Sequence, residues 1–135
     1  MRGFLPIIGA ALALSGCSAP APAADAPEAT DQIEAPAPTP AAIDAAKTAL
    51  AAEPQIKDLH YDPTNTVQWN IGVLDDGSRR FGYAQYVCMV LKEKGALGGR
   101  THVRIVDIAK VAQGEKFRDA NLGHVICETG DIVDA

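Results

Sequence analysis

The chain has 135 residues, which is enough for one ordinary domain, and its formal net charge at pH 7 is −5. Residues 41–135 carry 11 basic and 13 acidic side chains, a net charge of −2 for the part of the chain that is expected to fold. This balance offers no broad basic surface, so the composition excludes nucleic acid as an expected partner.

The first residues have the layout of an export signal. Arg2 provides a positive start, and an apolar stretch without acidic residues follows from Phe4 to Leu14. A membrane-spanning helix needs about 20 apolar residues, so this stretch is too short to remain as an anchor. We expect residues 1–16 to be a signal peptide that is removed.

The end of this stretch resembles the lipobox of bacterial lipoproteins, through Leu14, Ser15, Gly16 and Cys17. The resemblance implies cleavage between Gly16 and Cys17, and lipid chains such as palmitate attached at Cys17. It places the protein on a membrane of the bacterial cell envelope. Ser18 replaces the aspartate that would favour the inner membrane, so an outer-membrane anchor facing the periplasm is expected. The alternative is an ordinary signal peptide with an incidental cysteine.

Residues 17–40 are predicted to be a tether between the lipid and the domain. The segment holds six of the nine prolines and almost no large apolar side chain. It cannot bury enough apolar surface to order itself, and prolines favour extended conformations. We expect a disordered, Ala/Pro-rich spacer with acidic charge. The acidic residues are Asp25, Glu28, Asp31 and Glu34.

Residues 41–135 are expected to form one small α+β domain. Residues 41–52 are strong helix formers with apolar side chains at helical spacing, and Pro54 ends the pattern. Residues 67–73 alternate apolar and polar side chains, which predicts a strand with one buried face. The Asp-Asp-Gly sequence at 75–77 predicts a turn after that strand.

The segment 78–95 is open to two interpretations, a helix or the second strand of a hairpin. Its apolar positions fit a period of 3.6 residues, and Gly95 suits the position that follows a helix. Tyr86 and Val90 instead favour a strand. We prefer the helix, with Ser78 as its cap.

The rest of the domain is predicted to be mostly strand. Residues 101–111 are rich in β-branched side chains, residues 114–121 suit a short helical turn, and residues 122–129 suit a last strand. The predicted order is α-β-α-β-β, in two layers, with a three-stranded mixed sheet and the helices on one face. The strands that flank the second helix should be parallel, and the last strand should return antiparallel.

Two cysteines remain for the folded domain if Cys17 carries lipid. In the predicted arrangement Cys88 lies on the apolar face of the second helix and Cys127 lies in the last strand. Disulfides persist in exported proteins, so an even pair predicts a bond between Cys88 and Cys127. The alternative is two buried free thiols that act as small apolar side chains.

Candidate residues for catalysis or metal binding are few. His60, His102 and His124 lack the paired spacing of metal-binding motifs. Asp75 and Asp76 could ligate a metal ion, but Asp-Asp-Gly is typical of a turn, and no further acidic cluster completes a coordination shell. We therefore expect no metal and no cofactor.

One group of side chains near the start of the second helix is a candidate for binding a partner or an anionic ligand. Arginine and tyrosine are both common in interfaces, and arginine binds anions. The alternative is an ordinary solvated helix end. The group consists of Arg79, Arg80, Tyr83 and Tyr86.

Two classes of function remain for the domain. The first is a binding or structural domain without catalysis, acting on an envelope protein or a cell-wall component. The second is a small envelope hydrolase that pairs a histidine with Asp62, Asp75 or Asp107. An enzyme needs a convergent set of titratable groups, and the sequence shows none, so the first class is preferred. A histidine and a carboxylate within hydrogen-bond reach in a cleft would favour the second.

Overall fold

A computed structural model describes residues 36–133 of the chain. The predicted signal peptide, the lipid attachment at Cys17 and most of the tether lie outside the described residues. Within residues 36–133, no helix combines the length and the apolar character that crossing a membrane requires.

In this range the chain forms three helices and four strands, and the predicted α+β class is confirmed. The helix expected at 41–52 and the strand expected at 67–73 are both present. The elements are α1 (Pro40–Ala51), β1 (Asp58–Asp62), β2 (Gln68–Val73), α2 (Phe81–Glu93), β3 (His102–Asp107), α3 (Ile108–Ala112) and β4 (Asn121–Ile126).

The four strands form one mixed sheet in the spatial order β1-β2-β3-β4. β2 and β3 flank α2 and are parallel, and β4 is antiparallel to β3, as predicted. β1 pairs antiparallel with β2, so the predicted three-stranded sheet and its element order are wrong. The missed strand lies at the sheet edge, and its terminal residues Asp58 and Asp62 have low strand propensity.

The ambiguous segment before Gly95 is a helix. α2 spans Phe81–Glu93, and Gly95 follows it with a φ of 71°, as is common just after a helix. The predicted cap at Ser78 is wrong, because the cap position is Arg80 and its side chain makes no capping bond. Ser78 instead donates from its backbone N–H and its hydroxyl to Asp76 in the preceding turn. This turn moves the start of the helix to Phe81.

The predicted strand over 101–111 is wrong in its second half. β3 ends at Asp107, whose carboxylate accepts a hydrogen bond from Ala109 N at 3.0 Å and caps α3. β-branched residues continue into this short helix, so composition does not mark the boundary. The cap at Asp107 decides it.

The core lies between one face of the sheet and the helices α1 and α2. Alternate strand residues point to the same side, so a single register buries all the apolar ones together. Full burial of one such side chain contributes about 1.5–3 kcal/mol. The core residues of the strands are Trp69, Ile71, Val73, Val103, Ile105 and Val125, and those of the helices are Ile43, Ala46, Leu50, Ala84, Val87 and Leu91.

The helices do not all share one face, which corrects the prediction. Gly72 lies between the core residues Ile71 and Val73 and therefore points away from α1 and α2. A Cβ atom at Gly72 would lie 3.0 Å from Ile108 Cδ1. The short helix α3 thus packs on the second face, where a glycine leaves room for it.

The predicted disulfide between Cys88 and Cys127 is present, with the two Cα atoms 5.2 Å apart. It joins α2 to the residue that follows β4 and closes a span of 39 residues. In the chain-entropy model a loop of this length contributes about 4 kcal/mol. The bond therefore fastens the helix layer to an edge of the sheet.

Candidate functional site

The face of the sheet opposite α1 and α2, called the polar face below, carries a row of polar side chains across all four strands. In the strand register His60 pairs with Asn70, Asn70 with Arg104, and Arg104 with His124. Directly paired residues have Cβ atoms about 4.5–5.5 Å apart, so their side chains are neighbours. These four residues are called the polar row.

Strand alternation produces this row from the same segments that build the core. Asn70 lies between Trp69 and Ile71, and Arg104 lies between Val103 and Ile105. Burying the apolar neighbours against the helices leaves each polar residue on the other side of the sheet. The composition of the polar face thus follows from the register that the core selects.

Burial varies along the polar row. Asn70 is 4% exposed and His124 is 5% exposed, whereas Arg104 and the adjoining His102 are partly exposed and His60 is exposed. Buried polar side chains in proteins almost always have hydrogen-bond partners. The bonds made by this row therefore define its chemistry.

His102, His124 and Arg104 form one hydrogen-bonded chain. Arg104 Nη2 lies 3.4 Å from His124 Nδ1, and His124 Nε2 lies 2.9 Å from His102 Nδ1. A guanidinium can only donate, so Nδ1 of His124 accepts and its Nε2 carries the proton. That proton is donated to His102 Nδ1, which leaves the N–H of His102 on Nε2. The last N–H in this series of hydrogen bonds is therefore that of Nε2 of His102.

Burial and positive neighbours keep both imidazoles neutral. Burial lowers the pKa of His124 to about 4, and the charges of Arg104 and His102 add to the effect. Burial also lowers the pKa of His102, with Arg100 and Arg104 acting in the same direction and Glu128 opposing them. Neutral rings at pH 7 are the state that the hydrogen-bonded chain requires.

Arg104 is the unsatisfied member of the site. Burial and the nearby Arg118 lower its pKa, yet an arginine remains charged at neutral pH. Its Nε is buried without a hydrogen-bond partner, and no carboxylate among residues 36–133 forms an ion pair with it. An unmet buried donor costs about 1–3 kcal/mol, and more when it is charged.

The β1 side of the polar face adds an aromatic contact and an amide pair. The rings of His60 and Phe117 lie 5.2 Å apart between centroids, at an interplanar angle of 37°. Gln68 Nε2 donates to Asn70 Oδ1 at 3.2 Å. All three histidines, which are widely spaced in the sequence, therefore lie on this one face.

The carboxylates considered for a hydrolase are used by backbone turns. Asp62 accepts from Thr64, Asp75 accepts from Gly77 N, and Asp107 caps α3. Among residues 36–133 no histidine hydrogen-bonds a carboxylate, so the geometry that would favour a hydrolase is not found there. The same part of the chain holds no group of three or more His, Cys, Asp or Glu side chains placed to bind a metal ion.

The predicted partner-binding group at the start of α2 is divided by contacts within the chain. Arg80 pairs with Asp76 at 2.8 Å, and Arg79 lies over a phenylalanine ring, 5.8 Å from its centroid. The rings of Tyr83 and Tyr86 stack with centroids 5.9 Å apart, and the Tyr86 hydroxyl donates to a glutamate at 2.6 Å. A role in partner binding stays a prediction for this group. The phenylalanine ring under Arg79 is that of Phe81, and the glutamate that accepts from the Tyr86 hydroxyl is Glu53.

Sequence reasoning did not single out Asn70 and Arg104. Each lies inside a correctly predicted strand region, between apolar residues that enter the core. The signal that could have found them is a polar residue with a large side chain at the centre of a strand. Their pairing across neighbouring strands depends on register, which one strand by itself does not carry.

Comparisons of this chain with models of protein families, with curated proteins and with solved structures found no match.

Proposed function

We propose that this protein is a lipid-anchored protein of the bacterial cell envelope whose domain binds another envelope component without catalysis, and that the polar face is its binding surface. The observation that carries the proposal is Arg104 of the polar row. Within residues 36–133 its charge has no carboxylate partner, and it lies beside the hydrogen-bonded pair His102 and His124. Such costly groups are expected at functional or strained sites.

The hydrogen-bond partners of the histidines support a binding role over acid–base catalysis. His102 and His124 bond to each other and His124 to an arginine, whereas Asp62 accepts hydrogen bonds in a turn and Asp107 caps a helix. A general base needs an orienting partner and a free nitrogen facing a reacting group. In this arrangement Nδ1 and Nε2 of His124 are both engaged, which suits a fixed recognition surface.

The proposed location, a lipid anchor in the outer membrane, rests on the lipobox residues Leu14 to Cys17. Lipid chains on Cys17 contribute about 0.8 kcal/mol for each buried methylene, and more than one chain is needed for stable anchoring. The acidic, proline-rich segment that follows would keep the domain away from an anionic membrane surface, on the periplasmic side of the outer membrane.

Metabolic labelling tests the anchor. Cells that produce the full chain receive a fatty-acid analogue, and the purified protein is examined for the label. The wild-type chain should be labelled, and Cys17→Ala should remain an unlabelled precursor because it lacks the thiol that accepts the lipid. Cys88→Ala serves as the matched control and should still be labelled. Equal labelling of the Cys17 variant would reject the anchor.

Photocrosslinking in whole cells tests the binding surface. A photoreactive residue is placed at His60, which is exposed on the polar face, and in a second variant at Met89, which is 68% exposed on α2. The proposal expects one specific envelope product from position 60 and none from position 89. A specific product from position 89 and none from position 60 would mean that the polar face is not the binding surface.

A further inference from the structure

We propose that Arg104 and His102 bind an oxyanion, a carboxylate or phosphate group of the ligand, on the polar face. This inference rests on the proposed function and names the chemistry that the surface recognises. It follows from three properties of the site: unmet donors, their direction, and the balance of charge around them.

The unmet donors belong to Arg104. Among residues 36–133, its buried Nε has no hydrogen-bond partner, and its Nη2 reaches only Nδ1 of His124, at 3.4 Å. Guanidinium groups bind carboxylate and phosphate oxygens through two parallel N–H bonds. An oxyanion is the group that satisfies both the charge and the remaining donors of this side chain.

The direction of the histidine chain supplies one further donor. Because His124 donates to Nδ1 of His102, the neutral ring of His102 carries its proton on Nε2. His102 is paired with Gln68 in the sheet register and lies two residues before Arg104 on β3, on the same face. Its N–H can therefore join the guanidinium in binding one anionic group.

The charges around the site favour an anion over a cation. Arg100 and Arg118 act electrostatically on His102 and Arg104 respectively. Glu128 is the acidic group that acts on His102, and its carboxylate is already bonded to Thr101 N at 2.7 Å. A metal ion is disfavoured because the facing nitrogens of the two histidines bond to each other at 2.9 Å.

Nuclear magnetic resonance of the purified full chain in detergent tests the inference, with inorganic phosphate and acetate as probes. Each probe is compared with chloride at equal ionic strength, and the side-chain signals of Arg104, His102 and His124 are followed. Saturable shifts with at least one probe are expected. Stronger binding of phosphate would indicate a phosphate ligand, and stronger binding of acetate a carboxylate ligand.

Variants separate the site from a general effect of salt. Arg104→Gln should abolish the saturable shift, His102→Gln should weaken it several-fold, and the control Lys92→Gln, which removes an exposed positive charge on α2, should leave it unchanged. Dispersed amide signals show whether each variant is folded. If Arg104→Gln does not fold, Arg104→Lys keeps the charge and loses the planar fork, so it should weaken binding measurably.

Two results would overturn the inference. One is the absence of a saturable shift with both probes, and the other is undiminished binding in the Arg104 variants. Crosslinks from position 60 without a response to either anion would reject the oxyanion site and leave the proposed binding surface standing. A response to anions without crosslinks would support the oxyanion site and count against an envelope macromolecule as its ligand.

Discussion

The two faces of the sheet are built from the same strands but differ in composition, since one face is apolar and the other carries a row of polar side chains. The face toward α1 and α2 is built from fully buried apolar side chains, among them Trp69, Ile71 and Ile105. The polar face carries His60, Asn70, Arg104 and His124 in one row, with an arginine whose Nε has no partner in the described part of the chain. The first face stabilises the fold through burial, whereas the unmet donor on the second face costs free energy, and this difference is why we propose the second face for recognition.

The largest expected effect is on the apolar face. Trp69 is fully buried, so Trp69→Ala should lower the free energy of unfolding by about 3–5 kcal/mol through lost contacts and a cavity. His60→Ala, on the neighbouring strand β1 at the exposed end of the polar row, should stay within about 0.5 kcal/mol of wild type. Urea denaturation followed by circular dichroism measures both. Similar losses for the two variants would remove the distinction between the faces.

The disulfide joins the helix layer to β4, and removing it should have the next largest effect. The double variant Cys88→Ala/Cys127→Ala should lose about 2–4 kcal/mol, because the unfolded chain is no longer constrained over the 39-residue span. The urea midpoint of this variant should not respond to a reducing agent, whereas the wild-type midpoint should fall when the bond is reduced. An unchanged wild-type midpoint after verified reduction would contradict the prediction.

Acid should weaken the fold through the polar face. The unfolded chain protonates His124 near its ordinary pKa of about 6.5, whereas the folded protein does so near a pKa of about 4. Between these values the unfolded state binds more protons, so stability falls as the pH falls, by about 3 kcal/mol from this residue, and levels off below the folded pKa. Burial, Arg104 and His102 together cause the shift.

The variant His124→Gln sharpens this test. It removes the titrating ring, so the loss of stability between the two pKa values should be much smaller than in wild type. Met89→Gln is the control, since Met89 is exposed and does not titrate, and it should keep the wild-type profile. A steep acid loss that persists in the His124 variant would assign the effect to other groups.

Among the residues that are at least partly buried, the smallest expected effect is on Arg104. Because its charge is partly buried without an ion pair in residues 36–133, Arg104→Met should change the free energy of unfolding by less than about 1 kcal/mol, or raise it. Thermal and urea unfolding of this variant measure the change. A loss as large as that of a core substitution would mean that Arg104 stabilises the fold and would weaken its assignment to recognition.

Local pattern was sufficient for much of the fold. The 3.6-residue period identified α2 despite its strand-forming residues, alternation identified β2, and the number of cysteines in the domain predicted the Cys88–Cys127 bond. The parallel pairing of β2 with β3 followed from the helix between them. These features depend on neighbours in the sequence or on the connection between consecutive elements, so the sequence by itself determined them.

Only the tertiary structure decided the edge strand β1, the turn into α3 and the polar row. β1 has weak strand propensity and is held by pairing with β2, and α3 finds its place because Gly72 leaves room for Ile108. His60, Asn70, Arg104 and His124 come from four strands and meet through register alone. A shift of one residue in any strand would turn its member of the row into the core, and the register that prevents this is set by burial of the apolar side chains on the opposite face.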